Sequence, residues 1–144
     1  GRGTDMPFRY IGAPWLDSKL LLVELDKIDL EGVKFKNITF IPRFIPSKSS
    51  YPKFKDEKCH GVEIYITDRD KASPLKITTH IIDIISTLHP KKFRFNSNNF
   101  IDKLYGDEQL RETILLNGDL DVLFRKWEED EMKFKKIREP FLLY

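Results

Sequence analysis

Cys59-His60-Gly61-Val62-Glu63-Ile64-Tyr65-Ile66-Thr67-Asp68-Arg69 is the stretch on which the reading of this chain turns. Val62, Ile64 and Ile66 alternate with Glu63, Tyr65 and Thr67, the period of two expected of a half-buried strand. Asp68-Arg69-Asp70 then reads as a turn or strand end. Upstream, Val33 to Ile41 is rich in β-branched and aromatic residues. There Val33 and Phe35 alternate with lysines, but the phase slips near Asn37, where Ile38 and Phe40 take over. A bulge at Asn37 would account for the slip. Between the two strands, residues 42–60 hold Pro42, Pro46, Pro52 and the cluster Ser47-Lys48-Ser49-Ser50. That predicts a long loop, and long loops in compact domains are often functional.

The rest of the chain is helical or irregular. Residues 1–16 carry Gly, Pro and aromatics without sustained periodicity and read as an ordered loop. Asp17 or Ser18 caps a helix running to about Leu25–Ile28, and Glu31-Gly32 turns into the next strand. Ser73-Pro74 starts a helix that places Ile77, Ile81, Ile84, Ile85 and Leu88 on one face and stops at Pro90. Short helices near 98–104 and 107–116 are separated by Gly106, and Asn117-Gly118-Asp119 reads as a stop followed by a new cap. The last helix, about 120–137, puts Leu120, Phe124, Trp127, Phe134 and Ile137 on one face. Pro140 ends it, before an apolar tail over 141–144. Strands early and helices late, with no repeating βαβ, predict an α+β fold. Its sheet is small, mixed or antiparallel, and packed by several helices from the C-terminal half.

Composition sets limits on function. The 144 residues are 40% apolar and 33% charged, with eleven phenylalanines, enough to fold and to bury a core. The 25 basic and 23 acidic residues leave a formal charge of +2, so nothing forces a polyanionic partner. The lysines of residues 34–58 read as a solvated strand edge and loop, and no nucleic-acid partner is expected. A single cysteine rules out an internal disulfide. No run approaches the ~18 apolar residues of a membrane span. No cofactor is expected, and no residues at ligand spacing suggest a metal.

Several residues carry candidate chemistry. The chain opens on Gly1-Arg2-Gly3-Thr4-Asp5-Met6-Pro7-Phe8 without an initiator methionine, like the start of a domain cut from something longer. Its glycines allow close approach to a ligand, and Arg2 offers a planar fork of donors for oxygen-rich groups. Equally, Arg2 can pair with a structural acidic residue while the glycines turn the chain. Trp15 either presents an aromatic face to a ligand or anchors the core. Cys59 and His60 enter a strand on opposite faces, so they are poorly placed to share a proton; Cys59 reads as buried and structural, while His60 can still face a cleft as a donor. Asp68 and Arg69 can pair with one another or position the Gly1–Phe8 loop. The acidic run over 128–131 reads as a solvated helix face.

The run GRGTDMPFRYIGAPWLD, Gly1 to Asp17, resembles the start of the C-terminal domain of the bacterial exo-β-N-acetylmuramidases. These form glycoside hydrolase family 171, long catalogued as a domain of unknown function. Cys59 to Arg69, Phe100-Ile101-Asp102-Lys103-Leu104-Tyr105-Gly106 and Arg138-Glu139-Pro140-Phe141-Leu142-Leu143-Tyr144 agree in the same order. The resemblance implies that residues 1–144 are one C-terminal domain of a larger two-domain protein. The N-terminal Rossmann-like domain, with the proposed catalytic glutamate, is absent here, so no catalytic residue is expected in this chain and the fragment alone is expected to be inactive. It implies a cleft contacting a muropeptide or amino-sugar ligand through Arg2, Thr4, Trp15, Tyr51 and His60, with Asp68 and Arg69 in support. Arg2 would engage the lactyl carboxylate of muramic acid. The parent protein would be a peptidoglycan hydrolase of cell-wall recycling, periplasmic or otherwise extracytoplasmic, with its own missing domain as partner. The alternative is a non-catalytic carbohydrate-binding or interaction module.

Overall fold

A computed structural model describes residues 1–142. They divide into two compact units, Gly1–Arg94 and the residues from Phe95 onward. Leu143 and Tyr144, the end of the apolar tail, lie outside the described residues. The architecture is α+β.

The first unit is built on three strands, β1 (Tyr10–Ala13), β2 (Val33–Phe40) and β3 (Cys59–Ile66), in the order β1-β3-β2 and antiparallel throughout. β3 is central and begins at Cys59, three residues ahead of the clear alternation. The register of β2 on β3 runs without interruption from Val33 opposite Ile66 to Phe40 opposite Cys59, so the bulge expected at Asn37 does not occur. The phase slip instead marks a change of face. Residues directly opposite one another share a face, so Val33 and Phe35 lie with Ile64 and Val62, whereas Ile38 and Phe40 lie with Gly61 and Cys59. Asn37, on the first face, accepts a hydrogen bond from the Ser18 hydroxyl at 2.9 Å. Phe40, on the second, brings its ring within 5.6 Å of that of Tyr10.

β1 falls in the stretch read from sequence as a loop, and the correction has a local cause. Four residues containing Gly12 and bordered by Pro14 show no usable period. They form a strand because Gly12 lies directly opposite Gly61, letting the two backbones approach closely.

α1 (Ser18–Leu25) and α2 (Pro74–Leu88) cover the first face of the sheet. The Asp17 carboxylate caps α1, accepting from the N–H groups of Lys19 and Leu20 at 3.1 and 3.0 Å. Leu21 and Leu25 from α1 meet Ile77, Ile81, Ile84 and Ile85 from α2, over Val62, Val33, Ala13 and Leu16. β2 is an edge strand, and its Lys34 and Lys36 are exposed there. Charged side chains of this kind discourage pairing with another chain.

The second unit comprises α3 (Phe100–Tyr105), α4 (Gln109–Leu115) and α5 (Leu120–Arg138), followed by a 3-10 turn over Glu139–Phe141. Leu110 and Ile114 of α4 are buried with Leu123 and Phe124 of α5. Arg111 clamps Asp102 with Nε and Nη2, both at 2.9 Å. Trp127 packs on Phe124 and Tyr105, and its indole N–H donates to the Tyr105 hydroxyl. Beyond Trp127 the same stripe runs into solvent, with Phe134 and Ile137 both exposed. Among the described residues no helix is long and apolar enough to cross a membrane.

The Tyr105 environment makes a pH prediction. Burial first, then the carboxylates of Asp107 and Asp130, push its phenol from 10.0 up to about 12. A proton held more tightly in the folded state contributes stability that is intact below the unfolded value, about 10, and is lost as pH rises through the folded one. An ultraviolet titration of phenolate formation should show a late step near 12. Tyr105→Phe should remove that step; its persistence would assign it elsewhere.

Candidate functional site

The Gly1–Phe8 loop closes on itself before it reaches β1. The Thr4 hydroxyl donates to the Gly1 carbonyl at 2.6 Å and accepts from the Met6 N–H at 3.2 Å. Gly3 sits at φ +84°, and a side chain there would strike the Arg43 carbonyl and Pro52, each at 2.8 Å. The Gly3 carbonyl in turn accepts from the Arg43 N–H at 2.8 Å. The loop is thereby laid against the long segment that leads from β2 to β3.

That segment supplies the opposite wall. Ile45 and Ser49 exchange two backbone hydrogen bonds of 2.9 Å, closing a tight hairpin whose tip residue Ser47 is held at φ +61°. Between the loop and the hairpin lies a cavity of about 400 Å³. Arg2, Thr4 and Asp5 line it from one side, Lys48 and Ser49 from the other. The Arg2 and Lys48 side chains have no hydrogen-bond or ion-pair partner among the described residues, so the structural pairing open to Arg2 from sequence is not made. Ser49 is only 3% exposed, and its hydroxyl has no hydrogen-bond partner among the described residues.

The loop is anchored by residues that carried no signal in the sequence. Arg9 pairs with Glu63 at 2.6 Å, and its guanidinium lies 4.6 Å over the Tyr65 ring. The Tyr65 hydroxyl donates to Glu63 at 2.7 Å. That bond to a carboxylate raises the Tyr65 phenol above its ordinary value. Alternation puts Glu63 on the face opposite the main core, where a carboxylate would be expected in water. It is instead buried, with Arg9 and Tyr65 both bound to its carboxylate.

Trp15 stands apart from Arg2. It helps line a second hollow of about 420 Å³, with Phe54 and Phe93 as further aromatic walls and Lys53, Lys92 and Arg94 as cations. It also packs on the main core and meets His89 edge-on, ring centres 5.3 Å apart. It therefore both lines a hollow and packs on the core. His89 accepts from the Asp17 N–H at 3.2 Å, which ties the start of α1 to the end of α2.

The remaining candidates line neither cavity. Tyr51 is 90% exposed on the long segment. His60 is half-buried in β3, in register with Ala13 and Thr39. Cys59, on the opposite face, is fully buried, and burial followed by the nearby Glu57 carboxylate pushes its thiol up. A thiol so held is a poor nucleophile. Asp68 and Arg69 occupy the turn after β3. There the Asp68 backbone bonds Gly32 and Ala72 and its carboxylate accepts from the Asp70 N–H, while Arg69 is exposed. Among the described residues no three His, Cys, Asp or Glu converge on a point that suits a metal ion.

The cavity, β1 and all the helices lie within residues that a known family defines. The family model for the C-terminal domain of the exo-beta-N-acetylmuramidase NamZ matches residues 1–144. The chain belongs to this family. It is 35% identical over 144 residues to the peptidoglycan beta-N-acetylmuramidase NamZ of Bacillus subtilis strain 168, covering 100% of this chain and 33% of that protein. The crystal structure of a DUF1343-family protein from Bacteroides fragilis NCTC 9343 superposes with a TM-score of 0.84 at 24% identity, covering 99% of this chain and 36% of that one. That likeness is one of fold. The chain thus spans about a third of the length of each relative.

Proposed function

We propose that this chain is the C-terminal, substrate-contacting part of a glycosidase that releases terminal N-acetylmuramic acid from peptidoglycan fragments. The observation that carries the proposal is the unpaired Arg2 guanidinium in a cavity large enough for a sugar ring, on a chain of the NamZ family. An arginine–carboxylate pair is charge-assisted and often bidentate, so it selects a sugar bearing an acid over one without. Thr4 shapes the loop that presents Arg2. Trp15, on its separate hollow, is suited to a more distant ring of a longer fragment. Tyr51, exposed on the long segment, and His60, half-buried in β3, would contact substrate outside both cavities. Asp68 holds the turn after β3 through Gly32, Ala72 and Asp70, and Arg69 stands beside it as the other supporting residue. The catalytic acid is supplied by an N-terminal Rossmann-like domain of the parent protein, which acts outside the cytoplasm, and residues 1–144 alone do not hydrolyse.

Ligand-observed NMR tests the reading. N-acetylmuramic acid should bind this chain, N-acetylglucosamine should bind more weakly, and Arg2→Ala should lose the preference, weakening the acid sugar by about tenfold or more. Equal binding of both sugars, or an Arg2→Ala variant that keeps the preference, would remove Arg2 from the site.

A further inference from the structure

We propose that the Ile45–Ser49 hairpin forms the second half of this subsite, with the Lys48 ammonium closing a two-cation clamp on the ligand's carboxylate and the Ser49 hydroxyl bonding the same ligand. The proposal rests on the reading of the Arg2 cavity as an acid-sugar subsite. Buried side-chain polar atoms nearly always have a partner. The Ser49 hydroxyl, on a residue 3% exposed at the cavity wall, has none among the described residues. A ligand group that fills the cavity would supply one.

The charge pattern points the same way. Arg2 and Lys48 approach one cavity from two chain segments with no anionic partner among the described residues. Asp5, also on the wall, offsets one positive charge and leaves the other. A bound carboxylate relieves the excess. The backbone is committed to this arrangement: Ser47 is kept at φ +61° by the two Ile45–Ser49 bonds, a conformation L-residues rarely adopt and one that concentrates at ligand sites.

N-acetylmuramic acid and N-acetylglucosamine titrated against wild type, Arg2→Ala, Lys48→Gln and Ser49→Ala test the clamp. Lys48→Gln should weaken the acid sugar about tenfold and leave the neutral one nearly unchanged, because only the first offers a charge to pair. Ser49→Ala should weaken the acid sugar about fivefold, the value of one hydrogen bond. Its Tm should stay level or rise, since an unpartnered buried hydroxyl contributes nothing to the folded state. A merely structural serine would lower Tm and leave affinity alone. Wild-type affinity in either hairpin variant, with Arg2→Ala defective, overturns this proposal and leaves the Arg2 subsite standing. Failure of the wild-type chain to bind the acid sugar overturns both.

Discussion

Gly61→Val is expected to destabilise the first unit by about 3 kcal/mol or more, the upper range for forcing bulk into a packed site. A Cβ at position 61 would lie 2.0 Å from the Ile11 carbonyl and 2.7 Å from Gly12 Cα. Both obstacles are backbone, so no rotamer change relieves them; β1 itself must move. Position 12 is equally closed, with a Cβ there 2.5 Å from the His60 carbonyl and 2.9 Å from the Phe40 ring. β1 is the strand that delivers the Arg2 loop, and the Arg9 carbonyl that accepts from the Ile64 N–H at 2.8 Å is its last tie before that loop. Urea denaturation should therefore show a lowered midpoint, and amide exchange should show Tyr10–Ala13 opening first. A loss below 1 kcal/mol, far under that range, would mean that β1 is not pinned by the glycine pair.

Leu21→Ala should cost about 2–5 kcal/mol, the range for emptying a buried leucine site. Leu21 is wholly buried where α1 meets α2 and the sheet. The space left is bordered by Ile77 and Ile81 on α2 and Val62 on the central strand, which cannot close on it cheaply. Leu21→Ile keeps the volume and should cost less than about 1.5 kcal/mol. Equal midpoints for the two variants in urea would contradict the close packing of α1.

The elements most legible in the sequence were those with one dry face. β3, α2 and the start of α5 were readable because their apolar residues recur at the period of the element and a cap or proline marks an end. β2 was readable as a strand but not in its geometry. Its two apolar phases cover two different faces, and a single-face expectation turned that into a bulge. β1 was unreadable: four residues with a glycine carry no period, and their pairing depends on another glycine 49 positions away by Cα partnership of Gly12 with Gly61. The site followed the same division. Arg2 stood out by its setting between two glycines. Lys48 and Ser49 were visible only as members of a serine-rich loop, with nothing to choose among the three serines.

Local pattern therefore determined the α+β class, the helical stretches, the central strand and the family to which the chain belongs, because each depends on residues near one another in sequence. Tertiary structure alone decided which polar groups lack partners. Glu63 is buried and paired because Arg9 and Tyr65 are brought against it, and Ser49 is buried in the Ile45–Ser49 hairpin with no partner among the described residues. Burial and pairing are properties of what the rest of the chain brings alongside a residue, and no periodicity encodes that for a loop.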